Sequence, residues 1–351
     1  MNIRRRRYLI FGGLLSLLIF CTACYLLSVG PTIYSGHSGF VNEVILSPDG
    51  TVLASFSSKD NTLRLWDVAR RSAIAKLLGL SWKMTFSPKG SRLAVGGIDT
   101  SIKVFDVSSG ALHATIQANK AWASHLAFSP DGKILAWGNK DNTIILWDVN
   151  ASREVVALRG HLAEITCLAF SPDSAILATG DKHGVVKLWD ANAFKEWTSL
   201  VGDGPTTSLA FSPDGMILVA GTYSAANLWE MPTCKERVFV NPDWGPLESD
   251  KSSEPVRCIA FSLDSKHMAL SSDEVIGLWD IPSGQMTCTF GQGHRPLSPT
   301  IVGLIGSFLP PGVSTTQAVW SVLFTPDGRL MAYGNQSNDV MTWQVERLGR
   351  K

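Results

Sequence analysis

Polar and apolar positions divide this chain into two unequal parts. Residues 8–29 form a run of 22 positions without a charged side chain, and four arginines at residues 4–7 stand directly before it. From about residue 31 the pattern becomes short apolar segments separated by polar turns, the rhythm of strands rather than helices. One phrase punctuates these segments seven times: an apolar residue, Ser or Thr, Pro (once Leu), then a polar turn. Leu46, Ser47, Pro48, Asp49 and Gly50 make the first, and Phe86, Phe128, Phe170, Phe211, Phe261 and Phe324 open the others. About 18 residues after each comes an aromatic residue with a polar neighbour: Trp66-Asp67, Phe105-Asp106, Trp147-Asp148, Trp189-Asp190, Trp229-Glu230, Trp279-Asp280 and Trp343-Gln344.

The aromatic positions are spaced by 39, 42, 42, 40, 50 and 64 residues. A period near 40 with four strands per unit predicts propeller blades, each a small sheet that buries its faces only against its neighbours. These motifs resemble the WD-repeat (Trp-Asp) β-propeller family in its bacterial style, over roughly residues 31–347. The resemblance implies an all-β fold: a seven-bladed β-propeller of four-stranded antiparallel blades. It also implies a hydrogen-bonded tetrad within each blade, made by a His, a strand-b Ser or Thr, a turn Asp and the strand-c Trp. His37, Ser55, Asp60 and Trp66 fill all four places in the first repeat. The fourth offers His161, Thr179 and Trp189, with His183 where the Asp is expected; Asp99, Asp141 and Asp273 are partial remnants elsewhere.

After Trp343 few residues remain to make an outer strand, whereas residues 31–35 occupy the place where an outer strand precedes Gly36-His37. Closure of the last blade by this N-terminal strand is therefore expected, which would hide two sheet edges at once. The 22-residue run is long enough to span a bilayer as one helix. Arginines on one side and no charge between Tyr8 and His37 on the other place the N-terminus in the cytoplasm. The expected organisation is a basic tail over residues 1–7, a transmembrane anchor over 8–29 and an extracytoplasmic propeller over 30–351. A cleaved signal segment, or a lipoprotein acylated at Cys24, is the alternative.

The chain carries 31 basic and 30 acidic side chains; removing residues 4–7 leaves 27 against 30, or −3. No basic stripe supports nucleic-acid binding. At 45% hydrophobic and 17% charged residues there is ample material for a core. Cys21 and Cys24 lie in the apolar run; Cys167 and Cys258 fall at equivalent places in innermost strands, Cys234 and Cys288 in outer ones, and no spacing suggests zinc or another metal. No cofactor motif occurs, and no phosphate loop, nucleophile elbow or His-Glu-x-x-His helix is present.

Strand a lines the channel in this family. Five residues before the turn Pro, or before Leu263, the repeats place Glu43, Lys83, His125, Cys167, Ser208, Cys258 and Ser321. An inter-blade Glu43–Lys83 pair beside His125 is one reading of that ring, and an enzyme or small-ligand sensor using Glu43, Lys83 and His125 is another. Six and eight residues before the same Pro lie Phe40, Trp82, Trp122, Glu164, Arg257 and Trp320. In the family these sites open onto the face of the d–a and b–c loops, where partners commonly dock. Six of the twelve tryptophans are strand-c residues, so Trp82, Trp122 and Trp320 exceed what the repeat requires. Trp and Arg dominate interface hot spots. The expected function is a membrane-tethered, non-catalytic scaffold for a protein or peptide partner on that face; a structural subunit binding a membrane complex through the propeller rim is a further reading. Two insertions, residues 241–254 and about twenty residues after His294, decorate the ring, the latter with an apolar stretch at 300–309 too short to span a membrane.

Overall fold

The recurrent phrase folds into one kind of turn. Ser47 Oγ donates to Asp49 Oδ1 at 2.5 Å and accepts the Val52 N–H at 2.9 Å, while Asp49 Oδ1 takes the Thr51 N–H. Pro fixes φ inside the turn, and Gly50 supplies the positive φ of 73° that closes it. The Ser-Asp bond recurs at Ser129–Asp131, Ser171–Asp173, Ser212–Asp214 and Ser262–Asp264. The Asp of Trp-Asp has a parallel task at the next corner. Asp148 and Asp190 each accept two successive backbone N–H groups, from Asn150 and Ala151 and from Asn192 and Ala193. An Asp side chain is the right length to close such a turn. The longer Glu230 does not reproduce it and lies 3.7 Å from Arg237.

These turns connect strands a to b and c to d. In the computed structural model, which describes residues 32–39, 41–78, 83–96, 100–118, 125–223, 225–240, 255–272, 275–291, 321–324, 330–333 and 339–345, the strands form seven four-stranded antiparallel sheets. Blade 1 runs a (Glu43–Leu46), b (Val52–Ser57), c (Thr62–Asp67) and d (Ser72–Leu78). Blade 4 repeats it with Ile165–Phe170, Ile176–Asp181, Val185–Asp190 and Lys195–Val201. In blade 7 strands a to c are Ser321–Phe324, Leu330–Tyr333 and Asp339–Val345, and Thr32–Ser35 supplies strand d, with Thr32 opposite Thr342 and Ser35 opposite Asp339. Strand a of each blade touches strand a of the next, and those of blades 1 and 7 meet, so the innermost strands close a ring.

Burial follows this plan. Strand b is enclosed on both faces, as in blade 1, where fully buried Leu53 packs with Trp66 and Tyr34 on one face and fully buried Ala54 packs with Phe56 and blade 2 on the other. Strand d alternates exposed and half-buried residues because only one edge and parts of its faces are covered. Trp66, Trp189, Trp229 and Trp279 lie buried in their blades' cores. In five blades the c–d register shifts at the residue preceding the strand-c aromatic, at Trp66, Phe105, Trp147, Trp189 and Trp279. A bulge there sharpens the local twist and carries strand d around the outside of its blade. Neighbouring blades are also stitched at their a–b turns: Ser174 stands where other turns have Gly, and its Oγ accepts the Asp131 N–H at 3.0 Å. Ser265 does the same for Asp214 at 3.1 Å.

Candidate functional site

The d–a loops and b–c turns share one end of the ring, and the tetrads sit just beneath them. In blade 1 the Trp66 indole N–H donates to Ser55 Oγ at 2.8 Å, and the same oxygen lies 2.8 Å from His37 Nε2. His37 Nδ1 meets Asp60 Oδ2 at 3.0 Å, and Asp60 also takes the Ser38 N–H, locking the d–a loop to the b–c turn. Since Ser55 Oγ already accepts from Trp66, its own hydrogen points at Nε2, and the imidazole carries its proton on Nδ1, facing the carboxylate. Burial holds His37 below its ordinary value despite Asp60. Burial also works to raise the Asp60 carboxyl, but hydrogen bonds from Ser38, Thr62 and His37 outweigh it and keep Asp60 below the usual carboxylate range.

Blade 4 builds the same unit with a different acid. Trp189 Nε1 donates to Thr179 Oγ1 at 2.8 Å, Thr179 lies 2.7 Å from His161 Nε2, and His161 Nδ1 meets Asp181 Oδ2 at 2.7 Å. His183, the residue expected from the sequence to replace the carboxylate, is exposed and contributes only its backbone N–H, donated to Asp181 Oδ1. Counting back from Trp189 points to His183. The b–c turn here is shorter than in blade 1, so the acid comes from the last residue of strand b instead. Blade 3 has a substitute that the repeat pattern does not reveal: buried Trp137 on strand b donates to Asn139, which bonds Thr143, which in turn reaches Asp141. The signal was an extra Trp one strand early. Asp99 and Asp273 lie outside the described residues.

Of the six candidate partner-binding residues, Phe40, Trp82, Trp122 and Trp320 lie outside the described residues. Glu164 and Arg257 occupy the ends of d–a loops at the expected end of the ring. Glu164 is not an available charge, because it ion-pairs with Lys182 of the b–c turn, whose N–H also bonds the Glu164 carbonyl. Arg257 is exposed, with its N–H bonded to the Ser271 carbonyl at 2.7 Å. Exposed apolar side chains accompany them at this end: Leu162 (88% accessible) in the d–a loop, Val201 at the end of strand d, Tyr223 in the b–c turn of blade 5, and Leu78. Leu112, Met216 and Leu263 are exposed at the opposite end.

The channel ring is assembled as the spacing predicts. Lys83 Nζ lies 3.3 Å from Glu43 Oε1 across blades 1 and 2. Burial raises the Glu43 carboxyl in spite of Lys83, and the Glu43 charge raises the Lys83 ammonium in turn. Burial, with Lys83 nearby, drives His125 down to about 3, so it is neutral throughout the physiological range. Burial pushes the Cys167 thiol up to about 12, which makes it a poor nucleophile. Cys167, Cys234 and Cys258 are free thiols; Cys234 sits in the c–d turn of blade 5 rather than in the outer strand expected for it. Among the described residues no group of three or more His, Cys, Asp or Glu could hold a metal ion. Among the described residues the ring offers one ion pair, one neutral imidazole and one thiol held protonated by burial.

The family model described as WD domain, G-beta repeat matches residues 30–67, 79–106, 110–148, 152–190 and 246–280, just over half the chain. Curated relatives include the Lissencephaly-1 homolog of Caenorhabditis briggsae, 30% identical over 27% of this chain and 25% of that protein. The small ribosomal subunit protein RACK1 of Medicago sativa is 39% identical over 21% of this chain and 23% of its own length. An uncharacterised WD repeat-containing protein of Synechocystis is 38% identical over 18% and 19%, respectively. The chain thus spans about a quarter or less of each of these relatives.

Proposed function

Because the chain belongs to the WD domain, G-beta repeat family, whose propellers are typically non-catalytic protein-interaction scaffolds, we propose that it is a membrane-tethered scaffold recognising a protein or peptide partner on the face of the d–a and b–c loops. The observation that carries the reading is the polarity of strand d in blade 7. Thr32–Ser35 runs toward the d–a loop at Gly36, so Thr32 lies at the end of the ring that carries the a–b and c–d turns. An anchor over residues 8–29 then holds the ring by one end and turns the d–a and b–c face away from the bilayer. Among the described residues no helix is long and apolar enough to cross a membrane, and residues 8–29 are not among them.

In this proposal residues 1–7 are cytoplasmic, residues 8–29 span the membrane uncleaved and the propeller is extracytoplasmic. Phe40, Trp82, Trp122, Arg257 and Trp320 supply the contact surface, with Glu164 shaping it through Lys182. Aromatic anchors provide large contact area at small entropic cost. The test has two parts. Protease added to sealed, oriented membranes should digest the propeller, and mass spectrometry of the mature protein should retain residue 1; an acylated N-terminus at Cys24 would replace the helix with a lipid anchor, and a protected propeller would overturn the topology.

A further inference from the structure

We propose that the flank of blade 1 is an oxyanion site in which Arg64 and Lys76 bind a carboxylate or phosphate presented from outside the chain. This goes beyond the partner-binding reading and does not depend on it.

Blades 1 and 4 share one architecture but differ at this flank. Arg64 stands two residues before Trp66 and directly opposite Lys76 on strand d. Like charges opposed across antiparallel strands destabilise the pair. The Arg64 guanidinium carbon lies 5.8 Å from the Trp66 ring centroid, and one terminal nitrogen lies 2.8 Å from where a Cβ on Gly36 would be. Gly36, at φ 156°, therefore leaves room for the cation. Its Nε is buried without a hydrogen-bond partner, and neither Arg64 nor Lys76 has an ion-pair partner among the described residues. An unpaired buried donor costs free energy unless a ligand completes it.

In blade 4 the equivalent cation is Lys187, two residues before Trp189, and it is fully neutralised. Lys187 Nζ lies 2.6 Å from Glu196 Oε1 and 3.0 Å from Ser199 Oγ. Glu196 stands opposite Trp189, and its other carboxylate oxygen lies 3.1 Å from the Cβ position of Gly160, the counterpart of Gly36. The residue at the Glu196 position in blade 1 is Ala73, opposite Trp66, and the residue at the Ser199 position is Lys76. Blade 5 is also satisfied internally, with Asn227 Nδ2 donating to Asp203 at 3.0 Å. Blade 1 thus keeps the cation, adds a second one and lacks the acid. A planar oxyanion can bridge a guanidinium and an ammonium through charge-assisted hydrogen bonds, and Arg is suited to bidentate contact with it.

The experiment uses the full-length protein in detergent micelles, with calorimetric titration of an octaglutamate peptide and, separately, of inorganic phosphate. Three variants accompany wild type: Arg64→Gln, Lys76→Gln and Ala73→Glu. The last installs the blade 4 acid and keeps both cations, so it separates site loss from misfolding. We expect at least tenfold weaker oxyanion binding in Arg64→Gln and Ala73→Glu, a smaller loss in Lys76→Gln, and a raised melting temperature for Ala73→Glu. Tighter binding of the peptide than of phosphate would identify a partner's carboxylates as the source; the reverse would identify a free phosphate. Equal affinity across the four proteins, or no binding of either probe to wild type, would overturn the proposal.

Discussion

Removal of the Asp181 carboxylate tests the blade 4 tetrad most sharply. That side chain is 2% accessible and accepts three hydrogens: from His161 Nδ1 at 2.7 Å, the His183 N–H at 2.9 Å and the Val185 N–H at 3.0 Å. Hydrogen bonds to charged groups contribute about 1.5–3 kcal/mol each and are not additive. Asp181→Ala leaves the imidazole N–H without a partner inside the blade, whereas the two turn N–H groups can recover water by a small movement. The expected loss is therefore about 3–4 kcal/mol, within the range for removing one partner of a buried pair. Asp181→Asn keeps the shape and one acceptor and should cost about half as much. His183→Ala removes an exposed side chain and should stay within about 0.5 kcal/mol of wild type. Urea denaturation of the purified protein reads this as a fall in midpoint of about 1 M for Asp181→Ala, if the slope is about 3 kcal/mol per M. Repeat arrays can lose cooperativity, so hydrogen exchange at Thr179, Lys187 and Trp189 should accompany it and show the loss centred on blade 4. Equal destabilisation by His183→Ala and Asp181→Ala would refute the assignment of the acid.

Other outcomes follow from the same geometry. His37 and His161 are held neutral by burial below the ordinary 6.5, and His125 is held at about 3. The unfolded chain binds more protons as pH falls below about 6.5, so their contribution is complete above that pH and is lost toward the folded values, by at most about 1.4 kcal/mol per pH unit for each. Denaturation midpoints measured from pH 8 to 5 should fall on acidification, and a rise would contradict the buried neutral histidines. Lys83→Met leaves the raised Glu43 carboxyl without its cation and should cost about 1–2 kcal/mol at pH 7, less than a fully buried pair because Lys83 keeps 42% of its side chain accessible. Since a raised carboxyl favours the folded state at low pH, the deficit relative to wild type should shrink on acidification in melts at pH 7 and 5. Ser174→Ala should lose about 1 kcal/mol with its bond to the Asp131 N–H. Ser174→Gly also relieves a positive φ of 63° and should be closer to neutral, as paired thermal melts would show.

The fold was legible because its corners are written in local chemistry. Ser, Pro, Asp and Gly recur in the a–b turns, and the Asp after four of the strand-c Trp residues closes the c–d turn, so strand ends could be placed without tertiary information. Closure by Thr32–Ser35 was legible because blade 7 lacked a fourth strand of its own. The blade 4 acid was misread because a one-residue change in turn length alters which side chain reaches His161, and spacing from Trp189 does not register it. Blade 3's Trp137–Asn139 network replaces the usual His with other donors, so no template finds it. At the face itself, spacing from the turn Pro puts Glu164 at the end of a d–a loop but carries no sign of its ion pair with Lys182. The Arg64–Lys76 opposition depends on the c–d bulge, which sets Trp66 against Ala73 and Arg64 against Lys76. A regular register would pair them differently.

The central claim is that a partner docks on the d–a and b–c face of a propeller tethered by its other end. Photocrosslinking in native membranes tests it, with a photoreactive amino acid placed singly at Arg257 on that face, at Met216 on the a–b turns, and at Trp197 on the rim, all exposed. The account predicts a discrete, reproducible adduct from position 257 that is lost when Trp122 and Trp320 are changed to Ala, and none from 216 or 197. An adduct from 197 or 216 with none from 257 would contradict it and assign the contact to the rim or to the a–b turn face.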